Sequence, residues 1–185
     1  MSRQVGVMAL VVLLLLVGVG DVFITHQVFT SRYPGANDFY RPWSAARLWW
    51  TERLSPYSAE VTARNEIGLY GRRAQPGEDP GVYAYPLYTI FVIMPLAFLP
   101  YAWAEAVWLA LLEFALIGGM IGALRLAEWR APPLLLALTL VWSILFYHSA
   151  RAILLGQFAV AVFALTVVML LAMRARHDAA AGVLL

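Results

Sequence analysis

Residues 5–24 have the sequence VGVMALVVLLLLVGVGDVFI, with one charged residue near the end. About 20 predominantly apolar residues are enough for a helix to cross the hydrocarbon core of a bilayer. The stretch therefore predicts a membrane-spanning helix. A secretory signal peptide is the alternative, because Arg3 precedes the stretch and the GVG at residues 18–20 resembles a cleavage site. The apolar run resumes at Val22, beyond that site, which favours a span.

The composition of the whole chain points to the same class of protein. The 185 residues are 62% hydrophobic and 13% charged, against about 45–50% and about 25% in soluble domains. This balance excludes a disordered chain and a nucleic-acid-binding module. The absence of cysteine excludes disulfides and zinc–thiolate sites.

Hydropathy predicts an all-α polytopic membrane protein, with a single transmembrane domain over residues 1–185. A polar loop at residues 26–82 separates the first apolar segment from four more. The predicted spans cover approximately residues 5–25, 83–99, 102–124, 132–147 and 153–173. Pro86 and Pro95 indicate that the second of these is broken or bent. Because residues 177–185 resemble the opening of another span, we expect the chain to be the N-terminal part of a longer protein.

The polar loop begins with a predicted amphipathic helix. Asn37 or Asp38 is suited to be its N-cap. One face of the helix carries Phe39, Trp43, Ala46 and Trp50. Trp-rich amphipathic helices favour the headgroup layer of a membrane, so we expect this helix to lie flat on the membrane surface.

The orientation of the spans is ambiguous from sequence. With Arg3 in the cytoplasm and five full spans, later arginines fall outside, against the positive-inside rule. These arginines are Arg125, Arg130, Arg174 and Arg176. Either segment 83–99 dips into the membrane and returns, or the amino terminus lies outside, and the sequence leaves both open.

Polar residues near the first span are candidates for chemistry. Asp38 could be a general base, a metal ligand or a plain helix cap, which stabilises a helix by about 1 kcal/mol. Arg41 and Arg47 on the same helix could bind phosphate bidentately. They could equally pair with lipid headgroups or with Glu52.

Further candidates lie in or beside the later spans. His148 and Arg151 interrupt an apolar stretch and are either functional or interfacial. Glu105 and Glu113 are acids within one predicted span, which is costly unless they face a polar interior or headgroups. The glycines of GGMIGA in this span predict close helix packing. The three histidines are too scattered for a metal cluster.

Four stretches of sequence follow one another in a recognisable order. They are DFYRPWSAARLWWTERLSPY at residues 38–57, YAYPLYTIFVIMPLAFLP at 83–100, LPYAWAEAVWLALL at 99–112 and LLGQFAVAVFAL at 154–165. In this order they resemble the integral-membrane glycosyltransferases of the GT-C superfamily. In particular, the chain resembles glycosyltransferase family 87, whose members use polyprenyl-phosphate sugars.

The resemblance implies a GT-C-like helical bundle with a long first extracytoplasmic loop that carries a catalytic aspartate. Asp38 occupies the matching position, so its implied role is general base in sugar transfer from a polyprenyl-phosphate donor to a lipid, glycan or other hydroxyl acceptor. Arg41 or Arg151 could neutralise the leaving phosphate. The substrate-binding residues expected on this basis are Arg41, Arg47, Tyr85, His148, Arg151 and Gln157.

The same resemblance sets the expected surroundings of the protein. We expect a multi-pass protein of the cell (inner) membrane, in contact with membrane lipids and the lipid-linked sugar donor, and without nucleic acid. No metal-ligand set is assigned, and a divalent metal is left open as a cofactor. The competing hypothesis is a non-catalytic membrane subunit or scaffold in a larger membrane complex.

Overall fold

The computed structural model describes residues 3–33, 35 and 37–183 of the chain. This part is helical and contains no strand, which confirms the all-α class predicted from sequence. Its α-helices are α1 (Arg3–Thr25), α2 (Asn37–Glu52), α3 (Ala59–Tyr70), α4 (Tyr88–Ala97), α5 (Tyr101–Leu126), α6 (Pro133–Leu145), α7 (Tyr147–Leu154), α8 (Ala159–Arg174) and α9 (Asp178–Val183). The chain forms two compact units, residues 1–110 and 111–185.

Two of the described helices are long and apolar enough to cross a membrane. A π-helical turn, His26–Thr30, extends α1, so that the helical stretch Gln4–Thr30 has 27 residues. The second is α5, with 26 residues. At about 1.5 Å per residue, both exceed the hydrocarbon core of about 30 Å. The protein is therefore a membrane protein.

The other predicted spans correspond to shorter or bent helices. Segment 83–99 contains only α4, whose ten residues reach about 15 Å, too short to cross a bilayer unaided. Helices α6 and α7 form an apolar pair with a 54° bend between them. Residues 153–154 belong to α7, because the chain turns through Gly156, with φ +69°, before α8 begins.

The apolar face of α2 is covered by protein over much of its length. Phe39 and Ala46 are fully buried, whereas Trp50 is about half exposed. The Phe39 ring stacks on Trp108 of α5 at 5.2 Å, and α2 packs extensively on α4. The apolar face of α2 is therefore mostly covered by protein, whereas the sequence predicted that it contacts the membrane surface. The spacing of residues along one helix cannot show which distant segments of the chain cover that face.

In the second unit, glycines bring α5 and α8 together. A Cβ added at Gly119 would lie 2.6 Å from the Phe163 ring, and one added at Gly122 would lie 2.6 Å from Val167. Both distances are shorter than a side chain tolerates. The packing role predicted for the glycines of GGMIGA is therefore confirmed for Gly119 and Gly122, whereas a Cβ added at Gly118 would meet nothing within 4 Å.

Candidate active site

Asp38 lies in the first turn of α2. The helix begins at Asn37, so Asp38 is a helical residue rather than the cap that precedes the helix. Its side chain is 28% exposed. Its Oδ1 accepts a hydrogen bond from Nη2 of Arg41 at 3.3 Å. Because residues three apart are neighbours on a helix surface, this pairing of carboxylate and guanidinium follows from the local sequence.

Arg41 is shared between two carboxylates from distant parts of the chain. Its Nη2 also donates to Oδ2 of Asp79, at 2.5 Å. The Arg41 side chain is only 14% exposed, whereas that of Asp79 is 47% exposed. Asp79 was not among the predicted residues, because it lies in a stretch, GRRAQPGEDPG, that has the composition of a plain turn-rich loop. The adjacent acids Glu78 and Asp79 are the only signal there.

The loop that carries Asp79 is fixed against α3. Oδ1 of Asp79 accepts the backbone N–H of Gly81 at 3.1 Å, and the Tyr70 hydroxyl donates to the Asp79 carbonyl at 3.2 Å. The buried Asn65 amide donates to the Gly81 carbonyl at 2.9 Å. Gly81 has φ +64°, a conformation that favours glycine. These bonds hold the Asp79 carboxylate where Arg41 can reach it.

Tyr85, which was predicted to contact substrate, is close enough to this cluster to be influenced by its charges. Burial raises the pKa of Tyr85. The charge of Asp38 raises it further, Arg41 opposes this effect, and Asp79 adds to it. The phenol is therefore protonated at neutral pH and can donate a hydrogen bond. The segment is held in place by Tyr57, whose hydroxyl donates to the Tyr85 carbonyl at 2.8 Å.

Arg47 makes contacts of a different kind. Its Nη1 donates to the carbonyl oxygens of Ala97 and Leu99, at 3.2 and 3.4 Å, where α4 ends. Its guanidinium also lies 5.5 Å from the centre of the Trp43 ring. A cation at a helix C-terminus is stabilising. In this structure Arg47 thus joins α2 to α4.

The remaining predicted residues lie in the second unit, on α7 and just after it. Arg151 Nη1 donates to the Tyr147 hydroxyl at 3.3 Å, and the His148 ring meets the Tyr147 ring at 5.1 Å. The backbone N–H of Gln157 donates to the Ala152 carbonyl at 2.8 Å. Each of these partners is within five residues, so α7 and its end form a locally organised polar group.

The comparison with protein families covers this second group and the Tyr85 segment. The sequence model of glycosyltransferase family 87 matches residues 83–185, more than half of the chain. The chain belongs to glycosyltransferase family 87. It is thus a glycosyltransferase by family, as the order of its motifs predicts. No curated protein and no solved structure matches the chain.

The family 87 match includes Tyr85, His148, Arg151 and Gln157, whereas Asp38 lies in the part of the chain before it. A role for Asp38 must therefore be argued from its geometry and from the local motif that follows it.

The described residues around Asp38 do not form a site for a divalent cation. Among the described residues, no three His, Asp or Glu side chains are grouped as metal ligands. Within the cluster, the Arg41 guanidinium lies between the Asp38 and Asp79 carboxylates, where a shared cation would have to bind. The residues present therefore do not fit a divalent metal.

Proposed function

We propose that this family 87 protein transfers a sugar from a polyprenyl-phosphate donor to a hydroxyl acceptor, with Asp38 as the general base. The observation that supports this proposal most directly is the Asp38–Arg41 pair. It places a proton acceptor and a phosphate-binding cation side by side in a partly exposed cluster. A general base needs a carboxylate within reach of the acceptor hydroxyl, and Arg is well suited to bind phosphate.

In the proposed reaction, Asp38 takes the proton of the acceptor hydroxyl as that oxygen attacks the anomeric carbon of the sugar. The bond between this carbon and the phosphate oxygen breaks, and its electron pair leaves with the polyprenyl phosphate. Arg41 neutralises the charge that develops on the phosphate. Asp79 is the more exposed partner of Arg41 and is the one that an incoming phosphate displaces. Tyr85 donates a hydrogen bond to the donor or acceptor.

The position of this cluster in the membrane is also part of the proposal. The end of the first span and the start of α5 are in contact. The Thr30 hydroxyl donates to the Ala102 carbonyl at 2.7 Å, and the His26 ring stacks on Trp103 at 3.6 Å. These ends therefore share one side of the membrane. Since α4 is too short to cross, it dips in and returns, and the loop with Asp38 lies on that same side.

Arginines near the C-terminal end of α5 support an assignment of the cytoplasmic side. Arg174 donates to the Arg125 carbonyl at 3.4 Å, so the C-terminal ends of α5 and α8 are neighbours. Arg130 and Arg176 follow these helices closely. Under the positive-inside rule this arginine-rich end faces the cytoplasm, as does Arg3. The proposed topology is therefore multi-pass in the cell (inner) membrane, with residues 26–82 and their lipid-linked donor outside the cytoplasm.

The test uses the full-length protein in membranes. Sugar transfer is measured with radiolabelled polyprenyl-phosphate mannose and polyprenyl-phosphate arabinose as probes. We expect Asp38→Asn to lower transfer by about 10²–10⁴-fold, the usual contribution of a positioned base. Asparagine keeps the size and can still accept the Arg41 hydrogen bond, but it cannot take a proton.

The matched control is Asp178→Asn. Asp178 also lies in the first turn of a helix, α9, so this variant reports any general effect of removing such a carboxylate. Wild-type transfer by Asp38→Asn would exclude Asp38 as the base. If wild type transfers from neither probe, polyprenyl-phosphate mannose and polyprenyl-phosphate arabinose are excluded as its donors, and the hypothesis of a non-catalytic membrane subunit gains support.

A further inference from the structure

The segment that leads into Asp38 is held by two residues near the start of α5. Oε1 of Glu105 accepts the backbone N–H of Gly35 at 3.0 Å. The Tyr101 hydroxyl donates to the carbonyl of the same glycine at 2.7 Å. Gly35 is three residues before Asp38, so both peptide polar groups of one residue next to α2 are fixed by α5.

The residue after Asp38 is held by the same helix. Phe39 is fully buried, with its ring 5.2 Å from that of Trp108 and 6.2 Å from that of Tyr101. Tyr101, Glu105 and Trp108 have the spacing of residues on one helix face. Asp38 is therefore bracketed in sequence by two contacts with a single face of α5.

Glu105 is an unusual residue for such a bond. Its side chain is fully buried, and its Oε2 has no hydrogen-bond partner among the described residues. A buried carboxyl oxygen without a partner is costly. An apolar side chain at this position would fill the space without that cost but would leave the Gly35 N–H unbonded. The Glu105 carboxyl group therefore fixes the position of the Gly35 backbone.

We propose that Tyr101 and Glu105 are positioning residues, which clamp Gly35 and thereby set the place of the Asp38 carboxylate beside Arg41. This inference rests on the proposed role of Asp38. It assigns a function to an acid within a span, and it links the start of α5 to the chemistry of the first loop.

The first measurement separates kcat from KM for the polyprenyl-phosphate probe. Tyr101→Phe keeps the ring contacts and removes only the hydroxyl, while Glu105→Leu removes the acceptor of the Gly35 bond. We expect kcat to fall by about 10–100-fold in each, because small displacements of a catalytic group are costly. KM should stay within about threefold. Glu105→Gln keeps an oxygen acceptor and should restore kcat to within a few-fold of wild type.

Matched controls come from residues nearby. Tyr88 is an exposed tyrosine on α4, and Glu113 is a partly exposed acid two turns further along α5. Tyr88→Phe and Glu113→Leu should leave kcat unchanged. A loss of the same size in these variants would mean a general effect on the helices and would overturn the clamp.

The second measurement reads the place of residue 38 without catalysis. The chain has no cysteine, so Asp38→Cys provides a single reactive thiol. We expect Glu105→Leu to raise its labelling rate with a membrane-impermeant maleimide several-fold, and Glu113→Leu to leave the rate unchanged. Equal labelling rates together with an unchanged kcat would overturn the clamp, with the role of Asp38 intact. A raised labelling rate together with an active Asp38→Asn variant would instead remove the proposed function and leave the clamp standing.

Discussion

The two units of the protein bury different kinds of side chain. In residues 1–110 the buried set includes polar and charged groups, namely Thr30, Ser44, Asn65, Glu66, Thr89 and Glu105. Among the described residues of the second unit, 111–183, no polar or charged side chain is buried. A buried polar group requires a partner in a defined place. The first unit is therefore organised to hold polar atoms at fixed positions, whereas the second is organised by apolar contact.

The exposed surface of the second unit supports the same contrast. Large apolar side chains of α6 are exposed, including Leu134, Leu138, Trp142 and Leu145. In water such a surface would be a site of association, but beside a lipid phase it is the expected exterior of a membrane helix. The comparison supports the proposal that the reaction takes place in the first unit, while the exposed apolar helices of the second unit are suited to the bilayer.

The largest expected effect is a difference in cysteine labelling between positions on the two sides of the membrane. Ser55→Cys, in the first loop, should react with a membrane-impermeant maleimide in intact cells. Ala127→Cys, after the C-terminal end of α5, should react only after permeabilisation. Both positions are exposed in the structure, so burial does not explain a difference. Labelling of Ala127→Cys in intact cells, with Ser55→Cys protected, would reverse the proposed topology.

A loss of about 10²-fold is expected when the cation in the Asp38 cluster is removed. Arg41→Gln should lower sugar transfer by this amount, because a group that stabilises developing charge typically contributes this much. Arg151→Gln, in the locally organised group on α7, should cost less than tenfold. Transfer from the labelled polyprenyl-phosphate probes is the measurement.

The control for both is Arg64→Gln, since Arg64 forms ion pairs with Glu52 and Glu60 at the protein surface. If Arg151→Gln lowers transfer more than Arg41→Gln does, the phosphate contact belongs to the second unit, and the proposal that the reaction takes place in the first unit is wrong.

Sequence was most informative where the partners are close in the chain. The contacts of Gly119 and Gly122 follow from a small-residue pattern. Helical spacing also permits the Asp38–Arg41 pair, although the partners predicted for Arg41 were phosphate, lipid headgroups or Glu52. Asp79 lies 38 residues from Arg41, and no periodicity connects a turn-rich loop to a helix. Its contribution therefore could not be predicted.

The same limit applies to the acids of α5. Glu105 lies within a predicted span, where a carboxyl group needs a polar partner, so the sequence marked it as a residue with such a partner. The partner is Gly35, 70 residues away, and its backbone N–H carries no side-chain signal. The surroundings of the apolar face of α2 could not be predicted from sequence either, since residues that pack on Phe39 lie on α5.

A smaller effect tests how the second unit is held together. A Cβ at Gly122 would meet Val167 at 2.6 Å, whereas one at Gly118 would meet nothing within 4 Å. Gly122→Ala should lower the free energy of unfolding by about 1–3 kcal/mol through overpacking. Gly118→Ala should be neutral or slightly stabilising, since alanine favours helix. Thermal unfolding of the two variants in detergent provides the comparison, and equal stability would show that close helix approach is not what holds α5 to α8.

The smallest effect concerns a partly exposed carboxylate in the first unit. Glu78 forms a bidentate pair with Arg72, at 2.7 and 2.8 Å, and accepts the backbone N–H of Gln75 at 2.7 Å. The Arg72 hydrogen bond, followed by that of Gln75, lowers the pKa of Glu78 from 4.5 to about 2. A carboxylate whose pKa is lower in the folded protein contributes stability above its unfolded pKa and loses it as the pH falls through the folded value.

The difference in free energy of unfolding between wild type and Glu78→Gln should therefore be constant above about pH 5 and should shrink as the pH falls toward about 2. It should be small throughout, because an exposed ion pair is screened by solvent. In an Arg72→Gln background the difference should be smaller still, since the main cause of the pKa shift is gone. Chemical unfolding in detergent across this pH range measures it. A difference that grows on acidification would mean that Glu78 is bound more weakly as a carboxylate than as the neutral acid, contrary to its contacts with Arg72 and Gln75.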